Sequence, residues 1–149
     1  AAAGEGLRQR MGVHIGTLQI LIPVDAGREV ILPPPISRLP YTASWLRGLA
    51  NVRGSVIPVV DLAAALETGG GTRQPYLLIS GHREAAMGLL IDGLPRLVNL
   101  SAADQPTEPR QVAPLLQDAI ISAYERDGGV WLDVDVRILF DTISRCAAL

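Results

Sequence analysis

Two histidines, one cysteine and a scatter of carboxylates carry whatever catalytic or metal chemistry this 149-residue chain has, and their spacing suits neither use. His14 falls at the start of a strand-like run and His82 in a turn, with no Asp or Cys at ligand spacing from either. Asp133 and Asp135 make a D-x-D pair, but strand alternation puts both on one face, and Asp135 precedes an apolar helical stretch where an aspartate serves as a cap. Ser80-Gly81-His82 lacks the context of a nucleophile elbow. Gly69-Gly70-Gly71-Thr72 has no lysine and no preceding strand, so it reads as a linker and not a phosphate loop. Cys146, with no base in view, reads as a packed thiol. An enzyme or small-ligand barrel would have to use His82, Asp92 and Asp135 in a cleft, with at least two of them within about 3 Å of a common point. The better-placed group is Arg53. It lies between Gly48 and Gly54 just before an apolar strand, so a planar fork of donors suited to a carboxylate is held on a rigid β scaffold.

Composition narrows the partners. With 48% hydrophobic residues the chain can bury a core of its own, as one domain or two very small units. Its 13 basic residues, all arginine, against 15 acidic ones give a net charge of −2, which is no footprint for a phosphate backbone, so nucleic acid is not expected. A single cysteine excludes an intrachain disulfide framework and fits a reducing compartment. Pro, Asp and Arg interrupt every apolar run before the roughly 18 residues a membrane span needs, and the opening AAAGEGLRQR has its apolar residues ahead of its arginines, the reverse of a signal peptide. The reading is therefore cytoplasmic, with no cofactor and no metal.

The elements that must position Arg53 are short strands. Residues 1–10 read as a flexible tail, and 11–149 as the folded domain. The run 12–24 and the strand 28–32 form a hairpin candidate around Asp25-Ala26-Gly27, stopped by Pro33-Pro34-Pro35. Thr42 or Ser44 is placed to cap a short helix through Trp45-Leu46-Arg47, ended by Gly48. Ser55–Val60 is a strand that Pro58 restricts to an edge or a bulge, and Asp61 caps the turn after it. A junction near 67–75 separates the halves. Strands follow at 76–80, 85–91 and 94–100, then a polar, proline-interrupted surface excursion over 101–114, a hairpin of 119–124 with 130–134, and a closing helix over 138–148.

Displacing the chain by 74 positions lays Gly54 on Gly128, Val56 on Val130, Val60 on Val134, Asp61 on Asp135, Leu62 on Val136 and Leu66 on Phe140. Both copies read as turn, apolar strand, Asp, short helical turn. Two similar β halves follow, and many short strands with glycine turns favour small barrels over a long-stranded sandwich.

Several segments together carry a family resemblance: Glu29-Val30, Ser37-Arg38-Leu39-Pro40, Ala43 to Gly48, Asn51-Val52-Arg53-Gly54, Pro58 to Leu62, Gly88 to Asp92, and Val134-Asp135 through Leu139. In order and spacing they resemble the CheW-like family over nearly everything after residue 11, with N-x-R-G to P-V-x-D-L the specific part. The opening run and GLANVRG are similar to the PilI-like variants attached to type IV pilus and twitching systems. Ser37 stands where the family usually has Thr, and Ala43-Ser44 where it has Pro.

The resemblance implies an all-β fold of two intertwined, five-stranded SH3-like barrels with short helices and a C-terminal helix. It implies a non-enzymatic adaptor that couples methyl-accepting chemoreceptors to a CheA-type histidine kinase at membrane-associated receptor arrays. The alternatives are a CheW-like regulatory domain taken from a larger kinase or fusion, or the ligand-binding or enzymatic barrel above. In the family, the residues matching Glu29 and Arg53 form a linked pair near the receptor-facing surface. The expected receptor-docking set is Glu29, Val30, Leu32, Ile36, Arg53, Val56 and Val59, some of which must instead fill a core by period-2 alternation. Gly48, Asn51, Gly54, Asp61 and Asp135 are expected as turn and cap residues. The kinase face is expected in the second barrel, from Tyr76 to Leu100, without individual assignments.

Overall fold

A computed structural model describes residues 8–65, 75–81, 85–101, 104–109, 112 and 114–146. The chain begins with a hairpin, β1 (Arg8–Ile15) and β2 (Leu18–Pro23), and a 3-10 turn (Val24–Ala26). It continues through β3 (Glu29–Ile31), β4 (Ile36–Ser37), β5 (Leu46–Val52), β6 (Ser55–Val60) and α1 (Leu62–Ala65). Next come β7 (Pro75–Ser80), β8 (Met87–Leu100), β9 (Gln105–Thr107), α2 (Pro114–Gln117), β10 (Ile120–Arg126), β11 (Gly129–Val134) and α3 (Val136–Cys146). β1 starts at Arg8, inside the stretch read from sequence as tail.

The strands make one continuous hydrogen-bonded path, β4-β5-β6-β8-β1-β2-β11-β10-β9, with β7 also on β8 and β3 on β7. The expectation of two closed five-stranded barrels is therefore corrected: the fold has two SH3-like lobes, but neither ladder closes on itself. One lobe holds β3 to β7 and the first half of β8. The other holds β1, β2, β9 to β11 and the second half of β8, the halves meeting at Asp92, which is in register with both Pro75 and His14. The lobes are intertwined because the chain starts in the second, builds the first and returns. Lobe one is open between β3 and β4, joined by Pro33-Pro34-Pro35, which offer no backbone donors for a ladder. Lobe two is open between the end of β8 and β9.

Other local expectations also change. Strand 28–32 does not pair with 12–24; β3 lies on β7, with Glu29 opposite Ile79, while β1 and β2 pair with each other. Trp45-Leu46-Arg47 is not helical. Burial alternates from Leu46 through Gly48, Ala50 and Val52, so the segment is committed to β5 by its period of two. Strands 85–91 and 94–100 are one 14-residue strand, β8, and the excursion 101–114 contains β9, which pairs with β10. Pro58 sits in a strand with neighbours on both sides, but β8 joins β6 only at Val59 and Val60, beyond the proline. Residues 69–72 lie outside the described residues.

The main core crosses the lobe boundary: Val13, Ile20 and Ile22 of the first hairpin cluster with Leu78, Leu89, Leu116, Val134, Leu139 and Ile143. Burying each such side chain contributes on the order of 1.5–3 kcal/mol, so the two lobes share their principal source of stability. A smaller cluster, Ala50, Ile57, Val59, Leu77 and Ile79, belongs to lobe one alone.

Candidate functional site

Arg53 is the first central residue of the β5–β6 turn, with φ of 50° before Gly54 at 85°. Two successive positive φ values give the hairpin turn whose twist matches that of paired strands. The backbone therefore aims Arg53 back across lobe one. Its Nη1 donates to Glu29 Oε1 at 3.0 Å and its Nη2 to Glu29 Oε2, a bidentate pair joining the turn to β3. This bond ties together two elements that share no ladder, β3 and the β5–β6 hairpin. Glu29 is largely covered, with a side chain 19% exposed, while that of Arg53 is 72% exposed. The arrangement is a guanidinium held at the surface by a half-sunk carboxylate, which Arg28 also approaches at 3.8 Å.

Hydrogen bonds and backbone angles place the turn and cap positions. Asn51 Oδ1 accepts from Gly54 N at 2.9 Å, tightening the same turn. Gly48, at φ of 142°, has Ser37 of β4 so close that a Cβ would run into the Ser37 carbonyl oxygen. Asp61 Oδ1 accepts from Ala64 N at 3.3 Å, capping α1, and its Oδ2 accepts from Arg47 Nε at 3.1 Å and Nη2 at 2.7 Å. Asp135 Oδ1 accepts from Arg137 N at 2.9 Å and Ile138 N at 3.2 Å, capping α3.

The apolar members of the receptor-docking set divide. Leu32 and Val56 are exposed, at 72% and 63%; Val30 and Ile36 are partly buried against the cores; Val59 is completely buried and offers no surface. Between Tyr76 and Leu100, the large apolar side chains left exposed are Leu94 and Leu97 on the second half of β8.

Two charged networks were not anticipated. Asp133, fully buried, takes both Arg10 and Arg8 of β1, the latter at 3.4 Å, so the two strands flanking β2 are tied across it. The signal was the alternation Arg8-x-Arg10, hidden by assigning those residues to a tail, together with an aspartate inside the apolar run Val130 to Val134. Arg126 Nη1 donates to the Asn99 carbonyl at 3.1 Å and to Asp104 Oδ1 at 3.0 Å, spanning the opening of lobe two. The enzyme alternative gains nothing from the geometry: Asp92 sits in β8 opposite His14, Asp135 caps α3, and His82 lies outside the described residues. His14 packs edge-on against Trp131, with ring centroids 5.3 Å apart. Among the described residues, no group of three His, Cys, Asp or Glu side chains is arranged to hold a metal ion.

Two open β lobes sharing a strand and a core, each bridged by an arginine, define an all-β protein of two SH3-like lobes. The comparisons give that class a family: the CheW-like domain model matches residues 9–144, and the chain belongs to the CheW-like domain family. It is 26% identical over 107 residues to the probable chemotaxis protein CheW of Rhizobium etli, covering 70% of this chain and 68% of the relative. It is 31% identical over 84 residues to protein PilI of Pseudomonas aeruginosa, covering 55% of this chain and 47% of that one. The crystal structure of the scaffolding protein TtCheW from Thermoanaerobacter tengcongensis superposes with a TM-score of 0.73 at 18% identity, over 89% of this chain and 86% of that one, a likeness of fold. The family is non-catalytic.

Proposed function

We propose that this chain is a non-enzymatic adaptor that couples methyl-accepting chemoreceptors to a CheA-type histidine kinase in a chemosensory pathway. CheW-family proteins bind both partners, and the observation that carries the reading here is the Arg53–Glu29 pair, set on a scaffold matched to the family over residues 9–144. The receptor face consists of the exposed Leu32 and Val56 beside this pair, with Val30 and Ile36 supporting it from the partly buried layer. A fixed charge beside apolar side chains gives both orientation and desolvation energy in docking. Val59 drops out of that face because it is core. The kinase face is drawn on the second half of β8, where Leu94 and Leu97 are exposed. Among the described residues, no helix is long and apolar enough to cross a membrane, which fits an adaptor recruited to receptor arrays from the cytoplasm.

The similarity to PilI favours one refinement, a pathway that controls type IV pilus motility. The adaptor reading is tested by titrating the protein, separately, with a receptor cytoplasmic tip and with the kinase regulatory domain. Binding to both, with receptor affinity lost in Arg53→Ala while the fold stays intact, supports it. An unchanged receptor affinity in that variant removes the Arg53 face, and binding to neither partner removes the reading.

A further inference from the structure

The 74-residue echo is a structural repeat, and the two copies differ at one chemically informative place. In lobe one, Leu46 pairs with Val60, the register slips before Gly48, and Asp61 N donates to the Trp45 carbonyl at 2.7 Å. In lobe two, Ile120 pairs with Val134, the register slips before Ser122, and Asp135 N donates to the Ala119 carbonyl at 2.8 Å. The bulged residues are thus Arg47 and Ile121, and the aspartates facing them are Asp61 and Asp135. Both aspartates cap a helix through Oδ1. Among the described residues, only Asp61 has a cation on its second oxygen, from Arg47; where that arginine belongs in lobe two there is Ile121, 60% exposed. Among the described residues, Oδ2 of Asp135 accepts no hydrogen bond.

No side chain of the described residues fills that place. A cleft of about 600 Å³ lies between the lobes, lined by Ile121, Asp135 and Phe140 from lobe two and by Ala26, Ser80 and Gly81 from the side of lobe one. Its lining is mainly apolar, with Asp25 also carboxylate-bearing; of the two arginines that border it, Arg10 is already held by Asp133 and Arg137 projects from the exposed first turn of α3. We infer that this cleft receives an arginine side chain from a partner protein, whose guanidinium takes on Asp135 the position that Arg47 takes on Asp61. The lobe-one copy, where a cation occupies the matching carboxylate, selects a cation, the apolar walls accommodate its methylene stem, and the side-on geometry of Arg47, through Nε and Nη2, selects guanidinium over ammonium. The protein nature of the occupant rests on the adaptor reading; the guanidinium site rests on the repeat alone.

Two variants separate the site from the fold. Asp135→Asn keeps an oxygen for the helix cap, since Asn caps as well as Asp, and removes only the charge. Ile121→Arg rebuilds the lobe-one arrangement and fills the cleft from within. Amide spectra are recorded while the protein is titrated with Nα-acetyl-arginine methylamide and, separately, its lysine counterpart. Saturable shifts at Asp135 to Ile138, larger for arginine and lost in both variants, are expected; equal responses in wild type and variants overturn the site. The same variants are then titrated with the kinase regulatory domain and the receptor tip. A loss of at least about tenfold for one partner, in both variants, is expected. If wild type binds a partner and neither variant weakens it, the inference fails while the adaptor reading stands. If wild type binds neither, the adaptor reading fails and the arginine-amide titration alone decides the site. Self-association lost in Asp135→Asn assigns the cleft to a second copy and overturns the partner assignment.

Discussion

Arg53 grips Glu29 with both terminal nitrogens, tying the β5–β6 turn to β3, a strand with which neither β5 nor β6 shares a ladder. Arg126 does the same service for lobe two, reaching from the end of β10 to the Asn99 carbonyl and to Asp104. Each lobe is therefore a curled sheet latched by one arginine, and the two latches differ in exposure: the Arg53 side chain is 72% exposed and that of Arg126 32%.

That difference sets the first prediction. Arg53→Ala loses an exposed ion pair and lowers global stability by about 0–1 kcal/mol, whereas hydrogen bonds to a better-covered charged group place Arg126→Ala nearer about 1.5–3 kcal/mol. Urea unfolding of the two variants measures the contrast. Amide exchange in β3 and the β5–β6 turn accelerates in Arg53→Ala even though the midpoint barely moves.

Asp133 is buried and shared between two arginines, so removing its charge strands Arg10, whose Nε already has no partner among the described residues. Asp133→Ala is expected to cost about 3–5 kcal/mol. The double variant Asp133→Leu with Arg10→Met recovers most of it, because an apolar pair leaves no buried charge. Thermal melts of the single and double variants check this; a double variant as unstable as the single one contradicts it.

Two glycines with positive φ should respond very differently to alanine. At Gly54 a Cβ meets nothing within 4 Å, and Gly54→Ala loses only backbone ease, about 1 kcal/mol. Gly48→Ala also drives a methyl into the Ser37 carbonyl, which displaces β4 from β5. Its loss should exceed that of Gly54→Ala clearly in denaturant titrations, with the β4 amides exchanging freely.

Leu94→Glu and Leu97→Glu alter exposed positions and leave stability within about 0.5 kcal/mol. Calorimetric titration with the kinase regulatory domain should show weakened binding in both, and receptor-tip affinity unchanged.

Much of this architecture was legible in residue types. The Asn51-Val52-Arg53-Gly54 turn, the Asp61 and Asp135 caps and the echo between them all depend on local chemistry that neighbouring residues specify. The 24-residue link from Glu29 to Arg53 came only through family resemblance. What escaped was the pairing of strands far apart in sequence. β3 looks like a hairpin partner for the run before it, yet its mate is β7, because nothing local distinguishes one apolar strand edge from another. Closed barrels were expected because short strands and glycine turns say how a sheet bends, not whether its first and last strands touch. Arg8 and Arg10 were lost to a tail because their carboxylate, Asp133, lies at the other end of the chain.

The parallel pairing of β2 with β11, Ile20 beside Leu132, has a bearing on synthesis. A ribosome releases Ile20 more than a hundred residues before Leu132, so that edge stays bare while the first lobe is made. Closure of the shared core must then wait for β11 to emerge, and until it does the β2 edge is open to wrong pairings.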